Sequence, residues 1–174
     1  VERSRGLGDV YKRQNVFLRY AIAIIALSAI GHFVPEVMGL GTGTVLGAVS
    51  GEYVLYFALI ILIGKILATS VSLGFGFFGG VFSPALLVGA SAGAVVAELF
   101  VVVGFLEKFE PALVVSGMAA VTGAVIGAPL CMVVIVMELT SSYIYALASL
   151  VGLTLSVSLS HILFGASYFD RQLG

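Results

Sequence analysis

The 174-residue sequence carries very little charge for its length. Charged residues make up 10% of it and hydrophobic residues 60%, whereas a typical globular domain has about 25% charged residues. This composition excludes a water-soluble monomer. The 8 basic and 9 acidic residues give a net charge of -1, so there is no basic surplus to neutralise nucleic-acid phosphates. We therefore expect no nucleic-acid partner.

Cysteine and histidine are also scarce. The single cysteine, Cys131, excludes an internal disulfide framework, and the two histidines form no cluster with zinc-ligand spacing. Patterns for a serine nucleophile are missing as well, because Ser83 and Ser116 have no histidine and carboxylate at motif spacing. We therefore expect no enzyme activity, no metal site and no cofactor.

Long stretches of the chain lack charge altogether. Residues 66–97 and 111–137 contain no Asp, Glu, Lys or Arg, and residues 139–169 contain only His161 as an ionisable side chain other than tyrosine. A helix needs about 20 apolar residues to cross a hydrocarbon core of about 30 Å. Each stretch is long enough, which predicts an all-α polytopic membrane protein. We expect its location to be the inner membrane of a bacterium.

Glycine and proline divide the apolar sequence into full-length and short helices. Longer helices are predicted at residues 16–34, 53–72, 83–103 and 143–163, and short helices at 112–125 and 129–139. A glycine-rich turn and a further helix follow Pro35. A polar loop is predicted near 107–111, and a last segment begins at Ser167. Broken helices survive in lipid only where protein or an aqueous site satisfies their backbone groups. Such interruptions indicate a transport site.

The first 14 residues differ from the rest. They are polar, lack apolar periodicity and contain the string GLGDVYKRQ, which resembles translated adaptor sequence. We expect residues 1–14 to be non-native or disordered and residues 15–174 to form one membrane domain.

The sharpest local motif is a helix start suited to an anion, made of Gly79, Gly80, Val81, Phe82, Ser83 and Pro84. The glycines free the backbone, Ser83 is expected to cap the helix, and Pro84 fits its first turn. The amides of Val81 and Phe82 would then point outward at the positive end of the helix dipole. Partial charges of this kind hold an anion and still allow it to leave.

Two further features have both a functional and a structural interpretation, and a third has only a structural one. Lys65 either attracts anions into a vestibule or buries its stem and extends its charge to water. Glu138 is either a functional intramembrane acid or a capped structural carboxylate. Small residues recur every four positions, which is typical of close helix contacts, at Ala85, Gly89 and Gly93 and at Ala119, Gly123 and Gly127.

The segment GGVFSP resembles the GxFxP signature of the CLC family of chloride channels and chloride/proton antiporters. Lys65 stands fourteen positions before Gly79, where that family often has a basic residue. Residues 117–140 resemble the family's next pair of short helices, and residues 35–45 (PEVMGLGTGTV) are similar to the link into its second half. The resemblance covers residues 15–174 and implies the second half of the family's inverted-repeat fold.

The resemblance also implies roles for individual residues. Val81 and Phe82 would donate main-chain N–H groups to chloride, and Gly79 and Gly80 would allow its close approach. The family adds a tyrosine hydroxyl from its last membrane helix. Phe169 occupies that position here, and Tyr168 beside it is the available substitute.

Chloride transport, by passive conduction or by proton-coupled antiport, is the function that the resemblance implies for the complete protein. The family forms homodimers with one pore in each subunit, and residues 123–163 would contribute to the dimer face. No serine-bearing or glutamate-bearing segment of the family's first half is found, so we expect these residues alone not to conduct. Two alternatives remain: a cation-coupled transporter using carbonyls at residues 74–80 with Glu138, and a membrane scaffold without transport activity.

Overall fold

A computed structural model describes residues 16–77, 79–105 and 111–164. These residues form seven α-helices and one short 3-10 turn, and no strand occurs among them. In chain order the elements are α1 (Val16–Phe33), the 3-10 turn (Pro35–Val37), α2 (Thr42–Val49), α3 (Leu55–Gly74), α4 (Phe82–Val103), α5 (Pro111–Ile126), α6 (Pro129–Thr140) and α7 (Tyr143–Phe164). The predicted all-α class is confirmed.

Three of these helices are long and apolar enough to cross a membrane. The candidate spans are Leu55–Gly74, Phe82–Val103 and Tyr143–Ser160, with mean hydropathies of 2.0, 2.3 and 1.6. At 1.5 Å per residue the 22-residue α4 is about 33 Å long, whereas the 12-residue α6 reaches only about 18 Å. The alternation of full spans with short helices is therefore confirmed in the described residues.

Proline and glycine set the helix ends as the sequence indicates. Pro35 follows α1 and begins the 3-10 turn, and Pro129 begins α6. Gly41 takes a left-handed φ of 71° before α2, and Gly104 takes a φ of 82° after α4. Because a side chain is strained in this conformation, glycine allows the chain to reverse at these points.

The tightest packing lies where α4 crosses α5. A methyl group in place of the Gly93 hydrogen would lie 2.5 Å from the Leu113 carbonyl oxygen, and one on Gly89 would lie 2.5 Å from that of Gly117. The buried residues Ala90, Ala94, Val114 and Met118 surround this crossing. The small residues of α4 thus form a close helix contact, and their counterpart on α5 is Gly117.

The second small-residue series has two roles. Ala119 is fully buried in a cluster with Val115, Met132, Val136 and Leu153, which joins α5, α6 and α7. Gly123 lies under the Leu153 side chain. Gly127 instead takes a φ of 74° in the turn between α5 and α6, a left-handed conformation that glycine adopts without strain. The prediction of helix contact holds for Ala119 and Gly123 and is wrong for Gly127.

The outer surface is strongly apolar. Large hydrophobic side chains stand exposed on several helices, among them Ile25, Tyr56, Val102, Leu130 and Ile144, each at least 69% exposed. Such a surface is unfavourable in water and favourable against lipid or apolar protein. The fold is therefore that of an integral membrane protein.

Candidate functional site

The start of α4 lies in the break between two candidate membrane spans. The helix begins at Phe82, one residue before the predicted start, and Val81 is its N-cap with φ −82° and ψ −16°. Pro84 lies in the first turn as predicted. The first hydrogen bond of the helix runs from the Ala85 amide to the Val81 carbonyl, at 3.1 Å. The amides that precede Pro84 therefore need partners outside the helix.

These amides are unused by the part of the chain that the structure describes. Within residues 16–77, 79–105 and 111–164, no carbonyl or side chain accepts a hydrogen bond from the main-chain N–H groups of residues 79–83. They lie at the positive end of a 22-residue helix. An acceptor with negative charge fits this position chemically.

The predicted cap by Ser83 is wrong. The N-cap position has no side-chain hydrogen bond, and Ser83 Oγ instead donates to the Leu40 carbonyl oxygen at 2.5 Å. A serine at the second helical position can turn its hydroxyl away from the helix start when another acceptor is near. Ser83 therefore ties α4 to the loop before α2 and leaves the amides of the helix start uncovered.

A cavity of about 330 Å³ opens at this helix start. Gly79, Gly80, Val81 and Pro84 line it together with residues of α1 and α3 and with residues 37–39. Its wall is mainly apolar, and Lys65 is the one charged side chain among the described lining residues. The helix start therefore borders a partly open cavity.

Lys65 lies in the middle of α3 and is only 5% exposed. Its ammonium donates to the Val37 carbonyl at 2.8 Å and to the Gly39 carbonyl at 3.0 Å. A buried ammonium needs such partners, because leaving a charge unpaired in an apolar interior is very costly. The interpretation of Lys65 as a side chain that extends its charge to water is therefore wrong.

Residues 36–40, which we call the wall loop, are held by side chains from three helices. Four of their carbonyl oxygens accept side-chain hydrogen bonds: Glu36 from Thr44, Val37 and Gly39 from Lys65, and Leu40 from Ser83. Non-helical backbone at membrane depth requires such partners. The sequence indicated a turn here through its glycines, but no local pattern revealed that Lys65 and Ser83 hold it.

The cation-coupled alternative gains no support from these contacts. The Phe75 carbonyl, within the stretch that would face a cation, accepts a hydrogen bond from the Arg19 guanidinium at 2.6 Å. Glu138 is exposed near the end of α6 and does not line the cavity. Thr140, two residues after Glu138, donates its hydroxyl to the Val136 carbonyl and not to that carboxylate.

Two predicted site residues, Tyr168 and Phe169, lie outside the described residues. Other predictions that lie outside them concern residues 1–14, most of the polar loop near 107–111 and the segment from Ser167. Their predicted roles stay predictions. Among the described residues, no group of three or more His, Cys, Asp or Glu could hold a metal ion.

Fold and site together define a polytopic helical membrane protein with a break between two candidate spans beside a partly open cavity, an arrangement also found in membrane transport proteins. The family model described as voltage gated chloride channel matches residues 2–161. The chain belongs to this family, and the resemblance carried by the GGVFSP segment is confirmed. The match includes most of the first 14 residues.

Three curated relatives give the extent of the similarity. An uncharacterized protein of Methanocaldococcus jannaschii is 34% identical over 113 residues, which are 65% of this chain and 27% of that protein. A putative chloride channel protein, ClcB-like, of Ralstonia nicotianae is 28% identical over 174 residues, 99% of this chain and 40% of that protein. The H(+)/Cl(-) exchange transporter ClcA of Vibrio parahaemolyticus is 26% identical over 142 residues, which are 81% of this chain and 30% of that protein. The chain thus spans well under half the length of these relatives.

Proposed function

We propose that this chain forms part of a chloride transport protein and that chloride binds to main-chain amides at the start of α4. The observation that carries the proposal is the position of residues 79–81: they line the cavity, and no described residue accepts from their N–H groups. Relatives named as a chloride channel and as an H(+)/Cl(-) exchanger support chloride as the anion. Both passive conduction and proton-coupled antiport are consistent with this site.

The chemistry of the helix start favours a small anion with weak hydration over a cation. Amide N–H groups are donors only, and the helix dipole places partial positive charge at the same point. The cavity wall is mainly apolar, which strengthens these interactions because the local dielectric constant is low. No guanidinium or free ammonium is needed to hold the ion, so release stays fast enough for transport.

The site is expected to need further elements from the complete protein. In the family resemblance a tyrosine hydroxyl contributes; here Phe169 stands at that place, and Tyr168 beside it is the available substitute. We expect these residues alone, reconstituted in liposomes, to give no chloride flux. Flux measured with a chloride-sensitive dye from liposomes that contain only this chain would contradict that expectation.

Assembly and location are proposed by the same analogy. Exposed apolar residues on α6 and α7, including Leu130, Ile144, Leu147 and Val151, lie in the 123–163 segment that we expect at a homodimer face. A bacterial inner membrane suits the three candidate spans. Cross-linking of the complete protein through cysteines placed on this face tests the dimer.

The decisive test removes one main-chain donor. Val81→Pro deletes the Val81 N–H, and the observed φ of −82° is close to the range that proline adopts. Losing one hydrogen bond to a charged partner costs about 1.5 to 3 kcal/mol, so chloride affinity should fall about 10-fold to 150-fold. Val81→Ala keeps the donor and serves as the matched control.

Isothermal titration of the chain in detergent, with chloride against gluconate at constant sodium, measures this affinity. We expect Val81→Ala to bind like the unaltered chain and Val81→Pro to bind much more weakly. Equal affinities in the two variants would refute amide binding at Val81. Replacement of sodium by N-methylglucamine should change nothing, whereas a dependence on sodium would favour the cation-coupled alternative.

A further inference from the structure

The wall loop contributes main-chain carbonyl groups to the surroundings of the cavity. Val37 and Gly39 line the same cavity as Gly79, Gly80 and Val81. A carbonyl oxygen carries partial negative charge and would repel an anion in this space. The anion site therefore requires that the carbonyls of the wall loop be occupied by donors.

Two residues of the wall loop line the cavity and also accept side-chain hydrogen bonds. Lys65 is the donor to both of them. One ammonium binds the Val37 carbonyl at 2.8 Å and the Gly39 carbonyl at 3.0 Å. The lysine is almost fully buried and also lines the cavity. Its positive charge therefore acts on the cavity while its hydrogen bonds fix the loop.

Resting on the chloride site proposed above, we propose that Lys65 is a positioning residue of that site. Its ammonium donates hydrogen bonds to two carbonyl oxygens of the wall loop and offsets their partial negative charge. An anion can then lie next to this wall without being repelled. Because the charge is shared between two carbonyls, the field that reaches the ion is weaker than that of a free ammonium. Such a wall attracts chloride without trapping it.

The other donors to the wall loop provide a matched comparison. Thr44 Oγ1 binds the Glu36 carbonyl at 2.9 Å, and neither residue lines the cavity. Thr44→Val removes this hydrogen bond without changing any charge. It loosens the loop but leaves the two carbonyls held by Lys65 in place.

The experiment measures chloride affinity by isothermal titration of the full chain in detergent, with Lys65→Met, Lys65→Gln, Lys65→Arg and Thr44→Val. Circular dichroism in chloride-free gluconate buffer checks that each variant is folded. We expect both neutral Lys65 variants to lose about tenfold or more in chloride affinity. Lys65→Arg keeps the charge and donors on a larger head group, so it should lose less chloride affinity than either neutral variant, and Thr44→Val should stay within about threefold of the unaltered chain.

Each outcome decides the proposal. A folded Lys65→Met or Lys65→Gln variant with unaltered chloride affinity would overturn it and leave the amide site standing. If Lys65→Met does not fold, Lys65→Gln, which keeps an amide donor, carries the same decision. Equal losses in Thr44→Val and Lys65→Met would show that loop rigidity matters instead of charge, which also overturns it. Absence of chloride binding to the unaltered chain would refute the chloride site itself, and this inference with it.

Discussion

Gly93 tests whether the close approach of α4 and α5 holds the fold together. In Gly93→Ala the new methyl group would lie 2.5 Å from the Leu113 carbonyl oxygen and 2.6 Å from the Val114 Cα atom. Ordinary contact begins near 3.4 Å, so the helices would have to separate by nearly an ångström. Both contact atoms belong to the backbone and cannot rotate away as a side chain can.

The expected loss of stability follows from two opposing effects. Overpacking a well-packed interior costs about 1 to 3 kcal/mol, and the backbone contacts place this site at the upper end. Alanine is better than glycine in a helix by about 1 kcal/mol, which offsets part of that cost. We therefore expect Gly93→Ala to lower the free energy of unfolding by about 2 kcal/mol.

The assay is unfolding of the chain in mild detergent by increasing mole fraction of sodium dodecyl sulfate, followed by circular dichroism at the helical band. Gly43→Ala is the matched control, because Gly43 lies in α2 with no atom near its added methyl group. That variant should be as stable as the unaltered chain or slightly more so. A Gly93→Ala variant as stable as Gly43→Ala would refute the argument that backbone contact at Gly93 limits helix separation.

Two further predictions concern other parts of the fold. Gly123→Ala should lower the free energy of unfolding less than Gly93→Ala in the same assay. Its methyl group would lie 2.6 Å from the flexible end of the Leu153 side chain, which can move. A larger loss than in Gly93→Ala would contradict this prediction. Burial, followed by the nearby charges of Glu52 and Glu36, raises the pKa of Tyr53 above its ordinary value of about 10. The protonated phenol is thus favoured in the fold, so its contribution to stability is present below about pH 10 and is lost as pH rises through the raised pKa. Thermal unfolding between pH 9 and 12 should therefore show a smaller alkaline loss in Tyr53→Phe than in the unaltered chain, and equal losses would refute it.

Much of the helical framework could be predicted from the sequence because its signals are local. Uncharged stretches mark the spans, and Pro35, Gly41, Gly104 and Pro129 mark helix ends within one or two residues. These effects depend on the backbone preferences of single residues. The start of α4 was predicted one residue late, since Ser83 looks like a cap and is used elsewhere.

The contacts that build the site could not be predicted in this way. Ser83 and Leu40 are 43 positions apart, and Lys65 binds carbonyls 26 and 28 positions before it. Every residue has a main-chain carbonyl group, so no sequence pattern distinguishes the carbonyls that accept a hydrogen bond from a side chain. The two interpretations of Lys65 in the sequence both assumed that its charge faces water or an ion, and neither included the wall loop.

The energy of the proposed anion site explains why several elements would have to meet at it. Removing an ion from water into a protein interior costs several kcal/mol even after relaxation. One helix terminus returns at most about 2 kcal/mol, and each amide that donates to the ion adds about 1.5 to 3 kcal/mol. The unused amides at residues 79–81, the start of α4 and the wall with Lys65 all lie along the same cavity. The rest of the ion's surface would still need donors, and the longer relatives, of which the aligned residues are only 27% and 40%, have further sequence to supply them. On this account the chain binds chloride measurably but less tightly than the complete protein would, and ion movement requires the complete protein.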